Sequence, residues 1–197
     1  IVLHRNPAAA AEGPGRSTLV LFYGQFIPLH GIGTIIEAAR LLQDRPVQWR
    51  IVGRGQESAR IRAMLDRHPL PRLRWDDWVP YPELATAIGA ADICLGIFGA
   101  SDKAASVIPN KVFQVLASGR PLITRDSPAL RELPVAGLGD VRLVPPGDAG
   151  ALASAVADWH AAPPAADPGR AAIAAATHPP AIGAQLLALL RARAASK

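Results

Sequence analysis

The chain has 197 residues, half of them hydrophobic, which is room for one domain with a sizeable core and little for two. Its formal net charge is +5, carried almost wholly by arginine, but no run of five basic residues occurs and basic side chains are interleaved with acidic ones, so no nucleic-acid partner is expected. The single cysteine, Cys94, cannot close an internal disulfide and is expected to be buried and inert. The longest apolar stretch, Ala85 to Ala100, is broken by Asp92 and is too short and polar to span a bilayer.

Residues 1–17 have neither an initiator Met nor a signal-peptide layout, and are expected to be a leftover segment or linker of a longer protein. Strand-like and helix-like segments then alternate. TLVLFYG, from Thr18, is a short β-branched and aromatic run ending in Gly, a buried strand. After a loop, Ile32, Ile35, Ile36, Ala39 and Leu42 fall on one helix face. VQWRIVG predicts a second strand, Ser58 to Arg67 a helix ended by His68-Pro69, and LRW a third strand. Glu83 to Ala90 is a short helix. ADICLGIF, apolar on both faces, predicts a central strand. Lys111 to Ala117 is helical, PLIT a strand, Ala129 to Leu133 a short helix and VRLV the last strand. Ala149 to His160 is helical, and Ala181 to Arg193 forms a final helix after a Pro/Ala-rich linker. The pattern predicts an α/β, Rossmann-like, doubly wound parallel sheet of about six strands with helices on both faces, over 18–160, followed by a linker and helix over 161–197.

In such a sheet ligands bind at the carboxyl ends of the strands, so the loops after the strands carry the chemistry. The first, Gly24 to Gly33, holds three glycines and opens a helix, which suits a phosphate; an ordinary βα turn reads equally well. The second, Gly53-Arg54-Gly55-Gln56-Glu57-Ser58, resembles a dinucleotide fingerprint with Ser58 where the third Gly belongs, and Asp76 and Asp77 follow about 20 residues on. It opens the second βα unit, however, not the first. The third, Gly99 to Lys111, carries Lys103 and Lys111, two of the three lysines, with Asn110 placed to cap the next helix. The fourth, Trp78-Val79-Pro80-Tyr81-Pro82, suits one wall of a slot for a planar base, or a cover for the sheet edge. No GxSxG elbow or Walker pattern occurs, so Ser118 is not a nucleophile candidate, and the five histidines lack metal-ligand spacing.

Taken in order, YGQFIPLHGIGTIIEAARLL, IVGRGQE, WDDWVPYPEL, ADICLGIF, VIPNKVFQVLASGRPLITRDSPALREL and VRLVPPGDAGALASAV resemble the C-terminal half of family 4 retaining glycosyltransferases of the GT-B fold (glycosyltransferase group 1), from residue 18 to 160. The resemblance implies a half-enzyme that binds a nucleoside-diphosphate sugar, with no cofactor and no essential metal. The first loop (Gly24, Gln25, Gly31) and Gly53 and Arg54 would face the diphosphate. Ile108, Pro109, Asn110, Lys111 and Gln114 would reach ribose and phosphate, and Val79 and Pro80 would lie against the base. A separate N-terminal domain would hold the acceptor, and the isolated half would transfer little sugar alone. Bacterial surface-polysaccharide or glycolipid synthesis would be the setting, and the location cytoplasmic, with membrane contact through the other domain.

A departing nucleoside diphosphate gains negative charge, and His30, Lys103 and Lys111 are the catalytic candidates to stabilise it, with Arg54 and the amides after Gly31. Gln25 and His30 stand where the family places a basic pair. Ser106 and Gln114, eight positions apart, stand where it places two glutamates. One expectation is that His30 works protonated beside phosphate, so that donor affinity falls between pH 6 and 8. The rival readings are a nucleotide-sugar epimerase of the same architecture, a non-catalytic binding module and, behind both, an NAD-binding domain.

Overall fold

The computed structural model describes residues 17–195. Six strands form one all-parallel sheet in the order β3-β2-β1-β4-β5-β6. They are β1 (Thr18–Tyr23), β2 (Val47–Val52), β3 (Leu73–Asp76), β4 (Ile93–Leu95), β5 (Leu122–Arg125) and β6 (Val141–Val144). The helices between and after them are α1 (Ile32–Leu41), α2 (Ser58–Arg67), α3 (Tyr81–Ala90), α4 (Asp102–Ala105), α5 (Asn110–Ser118), α6 (Pro128–Arg131), α7 (Ala149–Ala161), α8 (Arg170–Thr177) and α9 (Pro179–Ala195). The chain winds outward through β1, β2 and β3, then returns to place β4 on the other side of β1. The switch point of the sheet therefore lies between β1 and β4.

The period-2 alternation of β1 divides the core. Val20 and Phe22 point into a layer with Ile35, Ile36, Leu152, Val156 and Trp159 of α1 and α7. Leu21 and Tyr23 point the other way, against Ile88 of α3 and Val112, Val115 and Leu116 of α5. Cys94 sits in this second layer fully buried, and burial pushes its thiol up to about 12, so it stays protonated.

Three expectations change. Only Ile93–Leu95 of ADICLGIF forms β4: Gly96 lies against Thr124, whose hydroxyl accepts from the Ile97 N–H (3.2 Å) and replaces the regular ladder. Asn110 does not cap α5; Pro109 occupies the cap position with extended backbone, and exposed Asn110 is the first helical residue. The stretch expected as a Pro/Ala-rich linker contains α8, which packs on α5. Arg170, 6% exposed, donates to the buried Asp140 carboxylate (2.5 Å) and to the Val115, Leu116 and Arg120 carbonyls, closing the C-terminus of α5.

Candidate functional site

The loops after β1 and β2 are built against each other. Gly24 N–H donates to Val52 O (2.9 Å), Phe26 N–H to Arg54 O (3.1 Å) and Glu57 N–H to Phe26 O (2.9 Å). A Cβ on Gly53 would stand 1.8 Å from Gly24 O, and one on Gly55 2.6 Å from Phe26 O. The two glycines of GRGQE are thus required by the crossing of two backbones, which also accounts for the fingerprint-like spacing without a dinucleotide. Asp76, the acid such a fingerprint needs on the ribose, is taken: Arg50 Nε (2.8 Å) and Arg74 Nε (2.9 Å) donate to it. Burial opposes its ionisation, but the two arginines outweigh that and hold the carboxyl below its ordinary value. Trp75 props the second loop from beneath, stacked on Phe26 (5.0 Å) with its indole N–H on Gly53 O (2.8 Å).

A cleft of about 620 Å³ opens over these loops at the carboxyl ends of β1, β2 and β3. Gly24, Gln25, Gly53, Arg54 and Val79 of the predicted residues line it. Tyr23, Val52, Gly55, Asp77, Trp78, Tyr81 and Leu84 complete it. Val79 is buried as a floor, whereas Trp78 is 72% exposed and Tyr81 55%, aromatic surface left open at the mouth. Asp77 accepts from Arg62 (2.8 Å), whose guanidinium lies 4.3 Å above Trp75.

Lys111 and His30 meet beneath the first loop. Lys111 enters from the first turn of α5, 6% exposed, with Nζ 3.8 Å from the Phe22 ring centroid and 5.8 Å from that of Tyr23. Among the described residues its ammonium has no hydrogen-bond partner, and burial pushes its pKa well below the ordinary lysine value. The point where a Gly24 Cβ would stand is 2.9 Å from Lys111 Nζ and 3.1 Å from His30 Cε1. Gly24, at φ 141°, therefore takes no side chain for two reasons. His30 ends a 3-10 turn over Pro28–His30, edge-on to Phe22 at 5.8 Å, with Nδ1–H donating to Gln25 O. Burial first, and then the Lys111 charge, lower its pKa from 6.5 to about 4 against the opposing Gln25 hydrogen bond. In the free protein the imidazole is therefore neutral between pH 6 and 8, and the protonated His30 expected from the sequence belongs to the phosphate-bound state.

Gln114 reaches the same corner, its Oε1 accepting from Tyr23 Oη (3.0 Å), which leaves its NH₂ donors. Gly31 does not offer an open seat: its Cβ would stand 2.6 Å from Phe98 C, and Phe98 N–H and Gly99 N–H donate to His30 O (3.1 Å) and Leu29 O (3.2 Å). The loops after β1 and β4 are thereby closed on each other at the switch point, and the cleft lies to the β2 side. Lys103 is exposed on α4, away from the cleft lining, and Pro80, Ile108, Pro109 and Asn110 do not line it either. Buried Arg125, missed from the sequence, donates to the Gly99 carbonyl, Ser101 O (3.5 Å) and Asp126 O (3.1 Å), fixing the loop before α4. Among the described residues no group of three His, Cys, Asp or Glu could hold a metal, and no helix is long and apolar enough to cross a membrane.

A doubly wound parallel sheet with its open cleft at the strand carboxyl ends is the frame of a Rossmann-like ligand-binding domain. The chain belongs to the glycosyl transferases group 1, whose family model matches residues 17–161, within one residue at each end of the span the sequence motifs cover. WcaI of Escherichia coli (strain K12), named for glycosyl transfer in colanic acid biosynthesis, is 29% identical over 117 residues, 58% of this chain and 28% of WcaI. Among solved structures, sucrose-phosphate synthase of Thermosynechococcus elongatus is 26% identical with a TM-score of 0.74, over 93% of this chain and 47% of that one. HepE of Anabaena, solved with UDP and glucose, shares the fold at 16% identity and a TM-score of 0.61, over 73% of this chain and 39% of HepE. The chain spans less than half the length of each of these relatives. It has the look of the C-terminal half of a GT-B enzyme.

Proposed function

We propose that this chain is the donor-binding half of a retaining glycosyltransferase, taking a nucleoside-diphosphate sugar and handing the sugar to an acceptor held by a domain outside the chain. The observation that carries this reading is the cleft over β1–β3. It joins an apolar, aromatic wall to glycine-lined backbone and Arg54, with Lys111 Nζ behind the wall, 2.9 Å from the point where a Gly24 Cβ would stand. The wall of Val79, Trp78 and Tyr81 suits a planar base, and the Gly24–Gln25 and Gly53–Arg54 segments suit a diphosphate. HepE, of the same fold, binds UDP and glucose, and the likeness to WcaI supports surface polysaccharide synthesis as the setting. Gln114, through its amide, would hydrogen-bond ribose in place of a carboxylate. Arg54 at the rim and Lys111 beneath it would balance the leaving diphosphate, with Lys103 outside this set. Neutral His30 positions Gln25 O.

A thermal-shift panel of UDP, GDP, ADP, CMP and NAD tests the reading. Ligand at about 100 times its Kd stabilises by about 2.7 kcal/mol, an easily resolved shift. The expected result is selective stabilisation by one nucleoside diphosphate, lost in Trp78→Ala. Stabilisation by NAD alone overturns the reading, and a flat panel favours an interaction module. Gln25, His30, Ser106 and Gln114 give the non-catalytic reading its one specific support, since four charges expected from the family are absent. Sugar transfer by the full-length protein separates the two.

A further inference from the structure

Among the described residues Lys111 is the one buried lysine, and its position is unusual. Its stem leaves the first turn of α5, yet its ammonium lies on the Phe22 ring (3.8 Å) rather than in solvent. The groups facing it are the Tyr23 phenol from β1 and the His30 imidazole from the loop after β1. Both are neutral near pH 7, since burial raises the first and lowers the second. No carboxylate pairs with it among the described residues. A buried amine without a partner is costly to charge, and an anion beside it removes that cost. Gly24, bare of a side chain, lines the cleft, and the point where its Cβ would stand is 2.9 Å from Nζ.

Resting on the donor-site reading above, we propose that Lys111 is the diphosphate-binding cation of this chain, stored beneath Gly24 on the Phe22 ring in the free protein and drawn past it when a diphosphate fills the cleft. The four-carbon stem has the reach and torsional freedom for this, and Gly24 offers no side chain to block it. The arrangement explains how the first loop does without charge at Gln25 and His30. The cation is supplied from α5, behind the loop. A phosphate beside Nζ raises the pKa that burial depresses, so binding takes up a proton at pH values between the two. Affinity then falls as pH rises from the depressed value of the free protein to the higher value in the complex.

Isothermal titration of the full chain with UDP, GDP and ADP, in two buffers of different ionisation enthalpy at pH 7 and pH 8.5, reads both effects. The expected result is proton uptake by the wild type, kept in His30→Gln and absent in Lys111→Met. Diphosphate affinity should fall about 10- to 100-fold in Lys111→Met while affinity for the parent nucleoside holds. Equal diphosphate affinity in Lys111→Met, or uptake that persists in it, overturns the proposal. So does loss of nucleoside binding, which marks a structural role. Proton uptake by the wild type needs no variant to fold, so its absence at both pH values is decisive against it. If no nucleoside or nucleotide binds the wild type, the donor reading itself falls and takes this one with it, an outcome distinct from nucleoside binding that is indifferent to Lys111.

Discussion

A methyl group on Gly53 would stand 1.8 Å from the Gly24 carbonyl oxygen, and the residue holds φ 143°. Gly53→Ala is therefore expected to destabilise by at least about 1–3 kcal/mol from backbone strain alone, read as a lower urea midpoint with unchanged slope. Gly119, also at positive φ but with open space where its Cβ would point, carries the strain without the collision and should lose less on the same change. Lys111 gives the opposite sign. Its folded-state pKa lies below the unfolded one, so the unfolded chain binds more protons and folding is penalised below the depressed pKa. The penalty fades as pH rises through that value toward 10.5. Lys111→Met is expected to be more stable than wild type at pH 7 by about 1–3 kcal/mol, with the gap closing toward pH 10. Thermal melts across that range check it. A side chain that weakens the fold and sits at the cleft is the pattern expected of a group kept for binding.

At the scale of elements, α8 is the case in which sequence periodicity gave no signal. Its stretch is alanine- and proline-rich, and only Ile173 carries a large apolar side chain into the core, so no helical stripe forms. What fastens it is polar: Arg170 joins Asp140 and closes α5 from a distance of 55 residues along the chain. Arg170→Met leaves Asp140 buried and unpaired, and is expected to cost about 3–5 kcal/mol in chemical unfolding. Asp140→Asn in the same chain should recover part of that loss by removing the stranded charge. The six strands and the helices of the main domain other than α4 were legible because each changes period or ends at Gly or Pro, whereas α4 lies in a stretch read as loop. The first and second loops were legible as well, since they follow strands. Tyr23 and Leu84 were not, because their facing the cleft depends on how α3 seats on β1. Nor was the neutral state of His30, which is set first by its burial and then by Lys111, arriving from 81 residues away.

The molecule as a whole has a packed centre and an unpacked end. Residues 17–161 match the family and hold both core layers, and α8 completes the second layer through Ile173. The last helix, α9, leaves Ile182, Leu186, Leu187 and Leu190 each about half exposed or more, and none of its described side chains joins either core layer. Apolar area removed from water is what stabilises a helix at about 25 cal/mol per Å², and the described side chains of α9 remove little. Deleting residues 179–197 is accordingly expected to shift the Tm by less than about 2 °C, whereas a helix contributing even 1 kcal/mol would shift a domain of this size by about 2–4 °C. Calorimetry of the shortened and full chains decides between them. A larger drop would mean that α9 is anchored by contacts on the domain and that its leucines are incidental surface. No drop leaves four apolar side chains without a folding role among the described residues, the result expected if the acceptor-holding domain proposed above covers them.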